Sequence, residues 1–370
     1  MKPYLRDGVD VYIEDVPEKD LCIIFFVFLS TRKRIQINAK KIFLEALPLL
    51  DGERTILEVS CETGIQVPEL EKFVHYLEEK NIVTNKDWYE KIDLKSNYKQ
   101  LVQKQLYFLI DILQSPNDVC DVQKRIKATK VGVFGLGATG SWILVELLQM
   151  GFERFGLYDF KDISADSVSR HAFFSEAHIG GSKVDFYKGI AKKINPDSDV
   201  VTKKIAISTN SEISDELSDV DIVINCADEP YVGYTSIFLS RYCVAHEKIL
   251  FVAGGFDAHL GCLGEMIVPY KTPCSDCYSK YFKESLKDWK PVTHPVKNRI
   301  KGFGGLPALS VFSASTAVLA ILRYFLNKKD FLESAGGRGE FKFDDYSIDS
   351  FEVKPDINCG VCGDIKRCEI

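Results

Sequence analysis

Two kinds of residue pattern in this 370-residue chain could do chemistry. The first is a glycine-rich turn, Gly135-Leu136-Gly137-Ala138-Thr139-Gly140. The second is a pair of cysteine knuckles, Cys274-x-x-Cys277 and Cys359-x-x-Cys362. Glycines at this spacing let a backbone approach a phosphate, and a helix starting there presents N–H donors and the positive end of its dipole. Asp159 follows 24 residues after Gly135, where a carboxylate can accept from ribose hydroxyls. At this point a nicotinamide dinucleotide, ATP, or a tight turn with no ligand are all open. Arg170, Lys183 and Asp228 come next, each in a loop at the carboxyl end of an expected strand. Open α/β sheets bind ligands at such ends. Two cations and a further carboxylate suit a triphosphate with Mg²⁺, which a nicotinamide cofactor does not need. The four knuckle thiolates form a closed tetrahedral set, the pattern of structural zinc. A redox dithiol is the competing reading, and two separated pairs favour the metal. Cys22, Cys61, Cys120, Cys226, Cys243, Cys262 and Cys368 belong to no motif and are expected to be buried as small hydrophobes.

The elements that must position these groups can be read from pattern. Residues 126–260 alternate strands and helices, the signature of a mostly parallel sheet. Strands are expected at Lys130–Phe134, Arg154–Asp159, Val200–Ile207, Asp221–Asp228 and Ile249–Ala253, the last closed by Gly254-Gly255. Helices are expected at Ser141–Met150 and Val184–Lys193, with a long apolar helix at Ala308–Leu326 started by Pro307. Residues 1–90 read as a separate small domain. Leu21–Leu29 and Arg32–Ile37 form a hairpin, helices follow at Ala39–Leu50, Thr55–Thr63 and Pro68–Lys80, and Asn81–Thr84 could return as a strand. That order is winged-helix-like, which raises a DNA-binding module, but the third helix is not basic. Residues 91–125 read as a linker helix region and 126–370 as the second domain.

Bulk properties narrow the class. A chain of this length exceeds one ordinary core. Hydrophobic residues at 46% and charged residues at 27% fit a soluble enzyme. A net charge of −6 argues against a nucleic-acid partner. No uninterrupted apolar run reaches 18 residues, so no membrane span is expected. Leu21–Leu29 starts too late and is too short for a secretory signal. Eleven cysteines without such a signal suggest reduced thiols and a cytoplasmic location.

The run Gly135–Asp228 resembles the ubiquitin-activating-enzyme-like adenylating superfamily, whose bacterial members include ThiF and MoeB. The residues that carry the resemblance are GLGATG, Tyr158-Asp159-Phe160, Ser167–Arg170, His178–Lys183, Asn195-Pro196, Asn225–Asp228 and the two knuckles. Together they cover roughly residues 100–370. A closer likeness is to the peptide-modifying branch, resembling the pantocin enzyme PaaA and the microcin C enzyme MccB. There a PqqD-like domain precedes the adenylating domain and captures a leader peptide as an added strand.

The resemblance implies a Rossmann-like adenylating domain with ATP, Mg²⁺ and structural Zn²⁺. It implies that Gly135, Gly137 and Gly140 line the phosphates and Asp159 holds the ribose. Ser167, Arg170 and Lys183 would contact the nucleotide, and Asp228 would ligate Mg²⁺. It also implies a homodimer acting on a ribosomal precursor peptide. The favoured outcome is activation and cyclisation of a glutamate side chain, as for pantocin. Terminal adenylation as for microcin C, a sulfur-carrier adenylyltransferase, and a non-catalytic peptide-binding scaffold are the alternatives.

Four departures stand out. Lys161 occupies the place of a second acidic residue, Ser167 that of an asparagine and His171 that of a glutamine. Lys104, or Lys99, stands where an arginine enters from the preceding segment. Residues 278–358 contain no cysteine, which argues against a thioester step in that loop. The basic loop 285–305 could instead cover an acidic peptide.

Overall fold

The computed structural model describes residues 2–16, 20–171, 173–207, 210–253, 256–257, 259–289, 305–326 and 337–363. The chain divides into two compact units, Met1–Asp121 and Val122–Ile370.

The first unit contains β1 (Pro3–Leu5), β2 (Val9–Asp15), β3 (Leu21–Phe28) and β4 (Arg34–Lys40). It continues through α1 (Phe43–Ala46), α2 (Ile56–Thr63), α3 (Val67–Glu79), β5 (Val83–Asn85), α4 (Ser96–Leu101) and α5 (Gln103–Leu113). β2, β3 and β4 form an antiparallel sheet. β3 buries Cys22, Ile24, Phe26 and Phe28 in strict alternation, as a one-sided sheet requires. α2 is started by a capping box between Thr55 and Glu58 and stopped by Gly64 at φ 74°. α3 buries Leu70, Phe73, Val74 and Leu77 against the same core.

Three expectations here are corrected. The helix expected over Ala39–Leu50 shrinks to α1 and a 3-10 turn at Leu47–Leu49. Ala39 and Lys40 instead complete β4 opposite Cys22 and Leu21. Ladder pairing on a buried face outweighs alanine's helix preference there. The strand expected at Asn81–Thr84 is shifted to β5, Val83–Asn85, and pairs with β1. Finally, residues 91–125 hold three helices, because α4 ends and α5 begins at Val102. The third, α6 (Pro116–Ala128), runs across the boundary between the units.

The second unit continues with β6 (Lys130–Phe134), α7 (Ala138–Gln149), β7 (Arg154–Tyr158), α8 (Ala165–Val168), α9 (Lys183–Ile194) and β8 (Asp199–Lys203). Then come α10 (Asn210–Leu217), β9 (Ile222–Asn225), α11 (Val232–Ala245) and β10 (Ile249–Val252). The short strands β11 (Phe256–Asp257), β12 (Leu260–Cys262) and β13 (Glu265–Ile267) follow. α12 (Ser275–Ser285), α13 (Pro307–Phe325), β14 (Gly337–Lys342) and β15 (Ile348–Glu352) complete it.

The main sheet has the order β13-β10-β9-β6-β7-β8, parallel except for β13. All four residues of β9 and of β10 are buried, as expected when helices cover both faces of a sheet. From β6 the chain builds outward through β7 and β8, then crosses back to β9 beside β6. The strand order therefore switches between β6 and β9. A crevice at the carboxyl ends of those two strands is where such sheets bind ligands.

The strands expected at Val200–Ile207 and Asp221–Asp228 are shorter, leaving Cys226–Asp228 as a loop over that crevice. α13 matches the long apolar helix expected over Ala308–Leu326. With 19 residues and a mean hydropathy of 1.6, it is long and apolar enough to cross a membrane. It nevertheless lies along α7, with Leu309, Ala314, Ala317 and Ile321 buried, in the manner of a core helix. Gly254-Gly255 and Cys368 lie outside the described residues, as does most of the 285–305 loop. Cys22, Cys120, Cys243 and Cys262 are buried as expected, but Cys61 is exposed and Cys226 only partly covered.

Candidate functional site

The three glycines have three different jobs. Gly135 adopts φ 84°, a left-handed conformation that disfavours side chains, and a Cβ there would stand 2.7 Å from the Cys226 carbonyl oxygen. The β6 and β9 loops thus touch through Gly135. A Cβ on Gly140 would stand 2.0 Å from the Gly135 oxygen, so α7 could not pack this closely on the turn with any side chain there. Gly137 has no atom within 4 Å of its Cβ direction. It caps the N-terminus of α7, and the space beside it is open. α7 starts at Ala138, three residues before the expected boundary, so Gly140 lies inside its first turn.

Asp159 directly follows β7, with 8% of its surface exposed. Its two carboxylate oxygens accept from the backbone N–H of Leu136 and of Lys161, both at 2.8 Å. The aspartate therefore holds the glycine turn in place, and each oxygen keeps a lone pair for a ligand.

Lys183 opens α9 and is only 6% exposed. Burial lowers its proton affinity; Asp159 and Asp228 oppose that, and Lys161 and Arg170 add to it. Asp159, Arg170 and Asp228 thus all stand near enough to act on the Lys183 charge. Among the described residues Lys183 makes no ion pair, so its ammonium sits in a poorly hydrated place without a directly paired carboxylate.

Asp228 is exposed in the β9 loop. That loop is shaped by Asn225, which is fully buried. Asn225 donates from Nδ2 to the Thr235 and Ser236 hydroxyls, both at 3.0 Å, and accepts from the Ala227 N–H at 3.1 Å. Asn225 is a positioning residue that the sequence supplied only as part of a motif.

Arg170 is half exposed and pairs with Asp166 one turn back. The Ser167 hydroxyl is engaged in a capping box with Ser164, 3.0 Å between the two oxygens. His171 stacks on Phe174 with ring centroids 4.9 Å apart. Burial, then Lys183 and Arg170, push its pKa down to about 3, so the imidazole is neutral at physiological pH.

In the first unit, the two candidate lysines differ. Lys99 donates to the Tyr89 carbonyl at 2.6 Å and lies over the Tyr89 ring. Lys104 is exposed on α5. Of the two, Lys104 is the one left available for an incoming anion.

The cysteine quartet passes a geometric test for zinc. A tetrahedral thiolate site with Zn–S near ~2.3 Å places neighbouring sulfurs about 3.8 Å apart. Here Cys274–Cys277, Cys274–Cys359 and Cys277–Cys362 stand 3.8, 3.6 and 3.5 Å apart, and all four Sγ atoms lie within 4.8 Å of one another. Ion pairs brace the knuckles, Arg241 with Asp276 and Lys280 with Asp356.

Comparison with known proteins finds relatives of the same fold. Escherichia coli MccB, crystallised with AMPCPP and the peptide MccA, superposes with a TM-score of 0.71. That match is at 16% identity, over 98% of this chain and 100% of MccB. PaaA superposes at 0.61 with 18% identity, over 77% of this chain and 92% of that one. In sequence, the molybdopterin-synthase adenylyltransferase of E. coli K12 is 27% identical over 165 residues, 45% of this chain and 64% of that protein. The UBA4 adenylyltransferase and sulfurtransferase of Candida glabrata is 26% identical over 248 residues, 65% of this chain and 53% of its own length. The chain thus spans between half and two thirds of these sequence relatives. The ThiF family profile matches residues 113–361, the stretch that holds the glycine turn, the acidic and basic cluster and both knuckles, and this chain belongs to the ThiF family.

Proposed function

We propose that the protein is an ATP-dependent enzyme that adenylates a carboxylate of a ribosomally made precursor peptide. The observation that carries this reading is the buried Lys183 ammonium at the start of α9, near enough to feel the charges of Asp159 and Asp228, with open space at Gly137. A carboxylate oxygen of the peptide attacks the α-phosphorus, the bond from that phosphorus to the bridging oxygen breaks, and pyrophosphate leaves. A nucleophile in the same peptide then attacks the acyl carbon and AMP departs. Asp159 orients the ribose, and the N–H groups at Gly137 and the start of α7 line the phosphates. Lys183 and Arg170 stabilise the charge that builds on the pyrophosphate. Mg²⁺, which Asp228 would hold, supplies charge neutralisation on the triphosphate. The four cysteines would hold zinc as a closed thiolate set, which would supply folding energy and leave no open position for the reaction.

Residues 1–90 are read as the peptide-recognition domain. Among the described residues no further strand pairs with the edges of the β2-β3-β4 sheet, and β2 carries exposed Tyr12 and Ile13, features suited to an added strand. A glutamate side chain as the activated group and cyclisation as the outcome, as for pantocin, is the reading carried forward, and a homodimer with Lys104 reaching the partner's nucleotide completes it. The second reading, activation of a sulfur-carrier protein, is favoured by the likeness to molybdopterin-synthase adenylyltransferase.

The test is product analysis with the purified chain, ATP and a synthetic peptide encoded by a short reading frame beside the gene. AMP and pyrophosphate in step with peptide conversion are expected. ADP with a phosphorylated peptide would overturn the adenylation chemistry. Turnover only with a small protein ending in Gly-Gly would favour the second reading. Nucleotide binding with no turnover of either would favour a scaffold.

A further inference from the structure

The loops that carry Asp159 and Asp228 are joined by an ion pair the motif reading did not anticipate. Lys161 Nζ pairs with Glu229 Oε1. Lys161 follows Asp159 by two residues, and its own N–H anchors the Asp159 carboxylate. Glu229 directly follows Asp228. The pair therefore spans the mouth of the crevice, from the β7 loop to the β9 loop. The Lys161 ammonium lies close enough to Lys183 to lower its proton affinity, so both act in the same field. It also lies over the Phe160 ring, 5.6 Å from the centroid.

The exposures matter. The side chains of Lys161 and Glu229 are 42% and 50% exposed. An ion pair this wet is worth little and opens at little cost. A triphosphate entering the crevice carries far more negative charge than one carboxylate.

We propose that Lys161 and Glu229 form a nucleotide-displaceable clasp. Glu229 holds Lys161 over the crevice in the empty protein, and the polyphosphate of an entering nucleoside triphosphate takes the ammonium from it. Lys161 is then a phosphate-binding cation supplied by the same chain, at a position where the resemblance anticipates an acidic residue, and Glu229 is its resident competitor. This rests on the nucleotide reading of the site, and the experiment separates the two.

Titration calorimetry of the full chain compares ATP with adenosine for wild type, Lys161→Ala, Lys161→Arg and Glu229→Gln, with melting curves to verify folding. Lys161→Ala should weaken ATP about tenfold and leave adenosine within about twofold, because only the polyphosphate is lost as a partner. Lys161→Arg should keep most of the affinity. Glu229→Gln should tighten ATP by about two- to fivefold, the amount an exposed ion pair is worth. A merely structural clamp would weaken ATP and adenosine equally in both variants, and that result would overturn the clasp. So would Lys161→Ala binding ATP as wild type does, or Glu229→Gln weakening it. A wild-type chain that binds no ATP would instead remove the nucleotide reading beneath.

Discussion

Replacing Gly137 and Gly140 by alanine, one at a time, should separate ligand binding from folding within a single turn. At Gly140 the added Cβ would sit 2.0 Å from the Gly135 carbonyl oxygen, and real Cβ atoms essentially never come under 3.0 Å. Backbone must therefore move by about 1 Å, since the obstacle is not a flexible side chain. Overpacking of a tight core costs about 1–3 kcal/mol, and a backbone obstacle puts Gly140→Ala near the top, at about 3 kcal/mol. For a unit of this size that is a fall in melting temperature of roughly 6–12 °C. At Gly137 the Cβ meets nothing within 4 Å and φ is −74°, which any residue adopts. Alanine gains about 0.4–1 kcal/mol from the unfolded chain and loses a similar amount as a poorer helix cap, so stability should stay within about 0.5 kcal/mol. Its methyl, however, fills the space the phosphates are expected to use, and ATP affinity should fall at least about tenfold, or ~1.4 kcal/mol. Differential scanning fluorimetry and calorimetric titration with ATP read the two effects. A Gly137→Ala protein with wild-type ATP affinity would refute the phosphate cradle. A Gly140→Ala protein with an unshifted melt would refute the close approach of α7 to the turn.

The cysteine quartet should bind one zinc per chain, and Cys359→Ser should lose it by atomic absorption and lower stability by several kcal/mol, because metal binding contributes folding free energy. Lys183→Met should be more stable than wild type at pH 7 without nucleotide. The native pKa of Lys183 is depressed by burial, so the folded state binds its proton less readily than the unfolded chain. The native lysine's penalty is therefore present below its folded pKa, and the variant's advantage should shrink as pH rises toward 10.5; urea titrations from pH 7 to 10.5 check the sign. Asp228→Asn should leave the fold intact and cut peptide-dependent pyrophosphate release about a hundredfold or more. Asp159→Ala should weaken ATP binding and also lower stability by about 1–3 kcal/mol, since it orphans the Leu136 N–H. Sedimentation should give about twice the 41.8 kDa chain mass, and a fully active monomer would remove the in-trans role of Lys104.

Much of the site was written in short segments. A strand, a glycine turn and a helix start within a dozen residues specify their own geometry, because positive φ and close approach are demands on single residues. Two C-x-x-C knuckles declare a tetrahedral site because ligand spacing is a property of a few bonds. Asp159 is legible for the same reason, as the residue ending the strand after the turn. What the sequence alone did not reveal depends on residues far apart in the chain. The motif names Ser167 as a nucleotide contact, and only the fold shows its hydroxyl also engaged with Ser164. On sequence Lys104 is the candidate and Lys99 its alternative, and only the structure shows Lys99 engaged by the Tyr89 carbonyl and ring. The closing strand of the first unit has β1, at the far end of that unit's sequence, as its partner, a pairing no local pattern specifies. Asp159, Lys183 and Asp228 stand at intervals of 24 and 45 residues, and only the crossover from β8 back to β9 beside β6 brings them into one field. Local conformation is encoded where it occurs; burial of a charge, and the company it keeps, exists only once the sheet has closed around it.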